Sequence, residues 1–242
     1  MPALAVNPPA ADAGAPGGVG LYGKLPARGD FLTRRLPRDF VDAWDRWLQE
    51  VMDATRQATG EAWTEAYLTF PIWRFLLPAG TAGGTAMAGV LLPSTDRVGR
   101  CFPLTLATPL PELDRPMTLA CAAGPWFERL EQLAYAALDE AADLGVIDAG
   151  LAGLSMPPAP SPPTGDVFPL DGSADPAPAA AALADRAIPP GHGLWWTGGS
   201  ARVPAALLLV DGLPGAALFA RLIGTAAAGP ETDESLAWDA TP

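Results

Sequence analysis

The sequence predicts an α/β protein whose sheet is covered on both faces, and three observations carry that reading. Two apolar runs, Met87 to Leu92 and Cys101 to Ala107, flank the polar segment Pro93 to Arg100, which holds Pro93, Ser94, Asp96 and Gly99. Such residues favour turns because they preset φ, bond back to the backbone or accept positive φ, so the stretch reads as a β-hairpin. Both runs are nearly continuously apolar rather than alternating, as in strands shielded from water on both sides. Two long amphipathic helical patterns, one before the hairpin and one after it, supply layers to lie against that sheet.

Composition sets the frame. A chain of 242 residues that is 49% hydrophobic and carries eight Trp has the means for a real core, and a domain of this size buries roughly 70–75% of its unfolded surface. Its 26 Gly and 28 Pro imply loose connectors between the folded segments. The formal net charge of −12 opposes non-specific attraction to nucleic acid or to an anionic membrane, since both would repel the chain. No stretch approaches the ~20 apolar residues of a membrane span, and the Pro-broken N-terminus lacks the basic and apolar regions of a signal peptide. Cys101 and Cys121 give no disulfide framework. Both lie in apolar contexts where a thiol packs as a small hydrophobe, which suits a reducing cytoplasm.

Taken in order, residues 1 to 18 form a Pro/Ala/Gly-rich tail with too little apolar surface to offset ordering entropy. A single domain then runs from 19 to 228, opening with a strand at Val19 to Leu25. Between Lys24 and Arg46 stand six bases and four acids, a local excess of positive charge in an acidic chain. Pro37 marks a helix start, and Phe40, Trp44, Trp47, Leu48, Val51 and Met52 recur at helical spacing until Gly60 stops it. Trp44 and Trp47 read as core anchors. A short strand at Ala66 to Phe70 bends through Pro71 into Ile72 to Leu77, because Pro71 cannot donate to a ladder.

Ala79 to Thr85 is a flexible loop leading to the hairpin, and Pro109 to Pro116 is a connector after it. Pro125 starts the second long helix, whose apolar face runs through Trp126, Phe127, Leu130, Leu133, Ala134, Ala137, Leu138, Ala141 and Leu144 to a stop at Gly145. The proline-rich stretch at about 155–180 reads as a long loop. The sheet is completed by Gly193 to Thr197 and by a buried strand at Ala205 to Val210, followed by a helix from Pro214 to Ile223. Residues 229 to 242 are an acidic tail.

Catalytic chemistry finds little to use. The single histidine, His192, has no HExxH, HxE or Cys/His spacing around it, and it stands in a Pro-Pro-Gly-His-Gly turn. No phosphate-binding glycine motif and no G-x-S-x-G elbow occurs. Neither a metal nor a cofactor is expected. What remains is a pair of basic loops: Lys24, Arg28, Arg34 and Arg35 in the first, and Asp96, Arg97 and Arg100 in the hairpin turn. Arginine forks bind carboxylate and phosphate in bidentate fashion, so these loops, with Trp73 or Trp195 and Trp196 near them, are the candidate surface for an acidic or phosphorylated partner. The bland alternative is a solvated face on which Asp30 and Asp96 pair with neighbouring arginines.

Several strings taken together resemble a known family. GLYGKLPARGDFLTRRLPRDFVDAWDRWL at 20–48, FPIWRFLLPAG at 70–80, LLPSTDRVGRCFPLTLA at 91–107, and GLWWTGGS, GLP and LFARL between 193 and 222 are similar to the TagF (ImpM) family of type VI secretion-associated proteins. The resemblance implies a three-layer α/β/α fold with a mixed, largely antiparallel sheet between helices. It also implies a cytoplasmic, non-enzymatic regulator that restrains type VI secretion after translation by binding the system's forkhead-associated scaffold protein. It supplies no catalytic residues. Two other readings stay open, a hydrolase acting on a phosphorylated secretion component and a structural component of the apparatus.

Overall fold

The computed structural model describes residues 18–160 and 177–225. Its strands are β1 (Gly20–Gly23), β2 (Leu32–Arg34), β3 (Trp73–Leu77), β4 (Ala86–Leu92), β5 (Leu104–Leu110), β6 (His192–Thr197) and β7 (Ala206–Asp211). They form one sheet in the order β2-β1-β5-β4-β3-β6-β7, and each neighbouring pair is antiparallel. The helices are α1 (Arg38–Thr59), α2 (Trp63–Thr69), α3 (Pro116–Ala122), α4 (Gly124–Ala137), α5 (Leu144–Ala152), α6 (Ala177–Asp185) and α7 (Ala216–Leu222). The tail at 1–17, residues 161–176 of the proline-rich loop and the acidic tail lie outside the described residues.

The expected hairpin is the middle of the sheet. β4 and β5 pair from Ala86↔Leu110 to Leu92↔Leu104, and every residue of β4 is buried. Strand β5 starts at Leu104 rather than Cys101, which makes an isolated bridge to Thr95 inside the turn. At Gly89 a Cβ would lie 2.4 Å from the Leu106 carbonyl oxygen and 2.7 Å from the Phe75 ring, so the two strands and that ring close together only over a glycine.

Strand alternation sends side chains to two cores, one on each face of the sheet. On one face Tyr22, Trp73, Phe75, Leu77, Met87, Leu91 and Trp195 meet Phe40, Trp44, Trp47 and Leu48 of α1, Trp63 and Tyr67 of α2, and Phe219 and Leu222 of α7. Most indole groups here find partners, Trp44 Nε1 donating to Thr105 Oγ1 at 2.8 Å, Trp47 Nε1 to the Pro214 carbonyl at 2.7 Å, and Trp73 Nε1 to the Leu222 carbonyl at 3.1 Å, whereas Trp195 Nε1 is buried without a partner among the described residues. On the other face Leu21, Leu76, Val90, Leu104, Leu106 and Leu194 meet Leu119 of α3, Trp126, Phe127 and Leu130 of α4, and Ile147 and Leu151 of α5. Arg74 crosses from the sheet to α4, its Nε and Nη2 donating to the two Glu131 carboxylate oxygens at 2.7 and 2.9 Å. The result is the three-layer arrangement expected.

Four expectations need correcting. Ala66 to Phe70 belongs to helix α2, because Trp63, Ala66, Tyr67 and Phe70 follow helical spacing and pack beside α1; Phe70 turns extended before Pro71 and ends it. The second long helix stops at Ala137, and Leu144 belongs to α5, which Asp143 caps by accepting the Gly145 N–H at 2.8 Å and the Val146 N–H at 3.4 Å. The connector expected from Pro109 begins only after Leu110, because Pro109 and Leu110 pair with Met87 and Ala86 as the end of β5, and at Pro116 it gives way to helix α3, whose first turn donates the Met117 and Thr118 N–H groups to the Asp185 carboxylate of α6. Finally, β7 is an edge strand with Leu207 and Leu209 exposed, not a buried one. Cys121 is likewise exposed on α3, whereas Cys101 is half-buried.

Candidate partner-binding site

At one end of the sheet, the loop after β1 and the turn between β4 and β5 are fastened into one unit. The chain leaves β1 at Gly23 with φ +136°, where a Cβ would come within 2.1 Å of the Pro103 carbonyl oxygen, so glycine is required there. Lys24 follows and is buried. Its carbonyl accepts the Ser94 hydroxyl at 2.7 Å and its ammonium lies 3.2 Å from Asp96 Oδ2. Asp96 organises its own turn: Oδ1 accepts the Val98 and Arg100 N–H groups at 3.1 and 2.9 Å, and Oδ2 accepts Arg100 Nε at 2.6 Å. Gly99 completes the turn at φ +81°. Arg100 Nη2 then reaches the Gly29 carbonyl at 2.9 Å, and the Arg97 N–H donates to the Arg28 carbonyl at 2.9 Å.

Electrostatics follow from that geometry. Burial opposes the ionised form of Asp96, but the Arg100 N–H and guanidinium, the Lys24 ammonium and the Val98 N–H more than offset it, so the carboxyl is held well below the usual carboxylate range. Tyr22, beneath the same unit, donates its hydroxyl to Asp45 Oδ1, and burial followed by that carboxylate pushes the phenol well above its ordinary range.

An aromatic step supports the loops. Phe31 stacks on Tyr22 with centroids 5.9 Å apart and meets Phe102 edge-on at 4.7 Å, while the Lys24 ammonium sits 5.1 Å from its centroid. Phe31 nevertheless stays 44% exposed, and Val98 in the hairpin turn is exposed as well. Between the loops lies a cleft of about 420 Å³ lined by Arg28, Asp30, Phe31, Leu32, Arg34 and Arg97 among others. A smaller cavity of about 190 Å³ shares Arg28 and Arg34 and continues to Leu144, Ile147 and Asp148 of α5.

The expected site residues therefore separate. Arg28, Arg34 and Arg97 line the cleft, and none makes a side-chain hydrogen bond or ion pair with another described residue. Lys24, Asp96 and Arg100 form the fastening beneath it. Arg35, at φ +52°, turns β2 towards α1 while its Nε donates to the Val19 carbonyl at 3.0 Å and its Nη2 lies 2.8 Å from Asp148 Oδ1, so it joins the sheet edge to α5. Trp73 and Trp195 are 1% and 0% exposed and cannot touch a partner; alternation of β3 and β6 turns both into the α1 core. Trp196 points to the opposite face, against Phe127 at 4.8 Å. Phe31, which the sequence reading passed over, is the aromatic group that does line the cleft. Its bracketing by Arg28 and Arg34 in a Gly-Asp-Phe turn was the available signal.

His192 opens β6 at the other end of the sheet, beside Asp211 of β7, with Nδ1 3.4 Å from the Pro190 carbonyl oxygen. Among the described residues no group of three or more His, Cys, Asp or Glu is placed to hold a metal ion, and no helix is long and apolar enough to cross a membrane.

Fold and site together define a single three-layer domain with a basic cleft at one sheet end. The chain belongs to the family described as the TagF N-terminal domain, type VI secretion system-associated, whose model matches residues 20–154. It is also similar to PA0076 from Pseudomonas aeruginosa PAO1, a crystal structure 41% identical in sequence, with 86% of this chain and 95% of that chain covered at a TM-score of 0.74. No curated protein matches this chain. It is thus an accessory or regulatory protein of type VI secretion.

Proposed function

We propose that this protein restrains type VI secretion in the cytoplasm by binding, through the Arg28, Arg34 and Arg97 cleft, the forkhead-associated scaffold protein of the system, and that it makes and breaks no covalent bond. The observation that carries this reading is that Arg28, Arg34 and Arg97, whose guanidinium groups make no ion pair with another described residue, line one cleft together with an exposed Phe31 in a chain of net charge −12. Interfaces favour Arg and aromatic groups at their centres. Reading the cleft as a binding surface rather than a hydrolytic centre is supported by the position of His192, since the cleft has no imidazole within reach. Negative regulation follows if the protein occupies scaffold surface that assembly needs.

The test is made in secretion-competent cells. Overproducing the wild-type chain lowers the secreted fraction of a type VI substrate, and the variant carrying Arg28→Glu, Arg34→Glu and Arg97→Glu, present at equal level, does not. Secretion unaffected by the wild-type chain, or repressed equally by the variant, overturns the proposal.

A further inference from the structure

We propose that the Arg28, Arg34 and Arg97 cleft holds one phosphorylated side chain of a protein partner. This inference rests on the reading of the cleft as the partner surface and adds the chemistry that it recognises. Among the described residues that line the cleft Asp30 is the one carboxylate, so there the three guanidinium groups leave a local excess of two positive charges. A phosphomonoester carries a charge of about −1.5 to −2 at pH 7 and three acceptor oxygens, which matches that excess, whereas a single carboxylate leaves it half neutralised.

The rest of the molecule favours a compact anion over an extended one. With a net charge of −12, the chain repels a long acidic segment, a nucleic acid or an anionic membrane wherever these pass beyond the cleft. One concentrated charge inside about 420 Å³ meets the local arginines and little of the surrounding field. The fastening below has a purpose in this account. Asp96 and Arg100 bind backbone groups of both loops, so the Arg97 N–H and Arg28 carbonyl stay joined and the two arginines enter the cleft from a fixed frame. Exposed Phe31 supplies an apolar wall for the residue next to the phosphorylated one.

The experiment uses the purified full chain and three peptide libraries with randomised flanks around a central phosphothreonine, threonine or glutamate. The phosphothreonine library is retained at least ~10-fold better than either of the others, and the variant carrying Arg28→Gln, Arg34→Gln and Arg97→Gln loses that preference, since a hydrogen bond between charged groups is worth about one decade in affinity. Because the three side chains make no hydrogen bond or ion pair with another described residue, that variant melts with the wild type. Equal retention of the threonine or glutamate library, or an undiminished preference in the folded triple variant, overturns the inference. No scaffold protein enters this measurement, so its outcome is separate from that of the secretion test.

Discussion

The Lys24 ammonium lies 3.2 Å from Asp96 Oδ2 across 72 residues of chain, both groups buried, and this contact ties the exit of the first strand to the turn of the central hairpin. Around it the fold separates two tasks that share one basic surface. Asp96 gathers Lys24 and Arg100 into the frame, and Arg28, Arg34 and Arg97 are left to face outward.

Removing the frame therefore acts on stability. Asp96→Ala leaves the Lys24 ammonium buried without its carboxylate and releases the Val98 and Arg100 N–H groups, so it lowers the melting temperature clearly. Asp30→Ala, on the exposed loop between β1 and β2, changes it little. Thermal denaturation of the two variants side by side checks the contrast.

Acid dependence follows from the same carboxylate. Its folded-state pKa is depressed, so ionised Asp96 stabilises the fold above the unfolded-chain value of ~4, and this contribution fades as the pH falls towards the folded value. Denaturant titrations between pH 6 and pH 3 should show wild-type stability dropping below pH ~4, with a shallower drop in Asp96→Asn. Parallel slopes in the two proteins would remove Asp96 from the explanation.

The buried tryptophans give a prediction of the opposite kind. Trp195 is stacked on Trp44 with centroids 6.0 Å apart and planes 4° from parallel, deep between sheet and α1. Trp195→Ala should cost about 3–5 kcal/mol of unfolding free energy, as large-to-small changes of buried aromatics do. Glutamate at Arg97, in contrast, should stay within ~0.5 kcal/mol of wild type, as an exposed site without partners allows. Chemical denaturation measures both.

Gly89 tests the packing of the central strands. Its Cβ would strike the Leu106 carbonyl oxygen, which belongs to the neighbouring backbone and cannot swing aside. Gly89→Ala is expected to destabilise by at least ~1–3 kcal/mol, the usual range for overpacking, and a variant as stable as wild type would contradict this strand register.

Much of this architecture could be read from residue order, for identifiable reasons. The hairpin and α1 announced themselves because a two-sided apolar strand pair and a three-four aromatic stripe have few alternative meanings. Helix α2 did not, since four apolar residues before a proline satisfy strand and helix patterns alike until packing beside α1 decides. The break between α4 and α5 hung on Asp143, whose cap is visible only when the chain is seen to restart there. At the site, sequence grouped the bases correctly in space but could not tell frame from surface. That difference lies in which arginine the long-range contacts consume: Arg35 by Val19 and Asp148, Arg100 by Asp96 and Gly29, and Arg28, Arg34 and Arg97 by none among the described residues. Trp73 and Trp195 were drawn towards the surface by their neighbours in sequence, and strand alternation turned both inward.

The most direct measurement is the affinity of the purified full chain for the forkhead-associated scaffold, compared with that of the variant carrying Arg28→Glu, Arg34→Glu and Arg97→Glu. The account predicts binding weakened at least ~10-fold with an unchanged melting temperature. Equal affinity in the folded variant would contradict it.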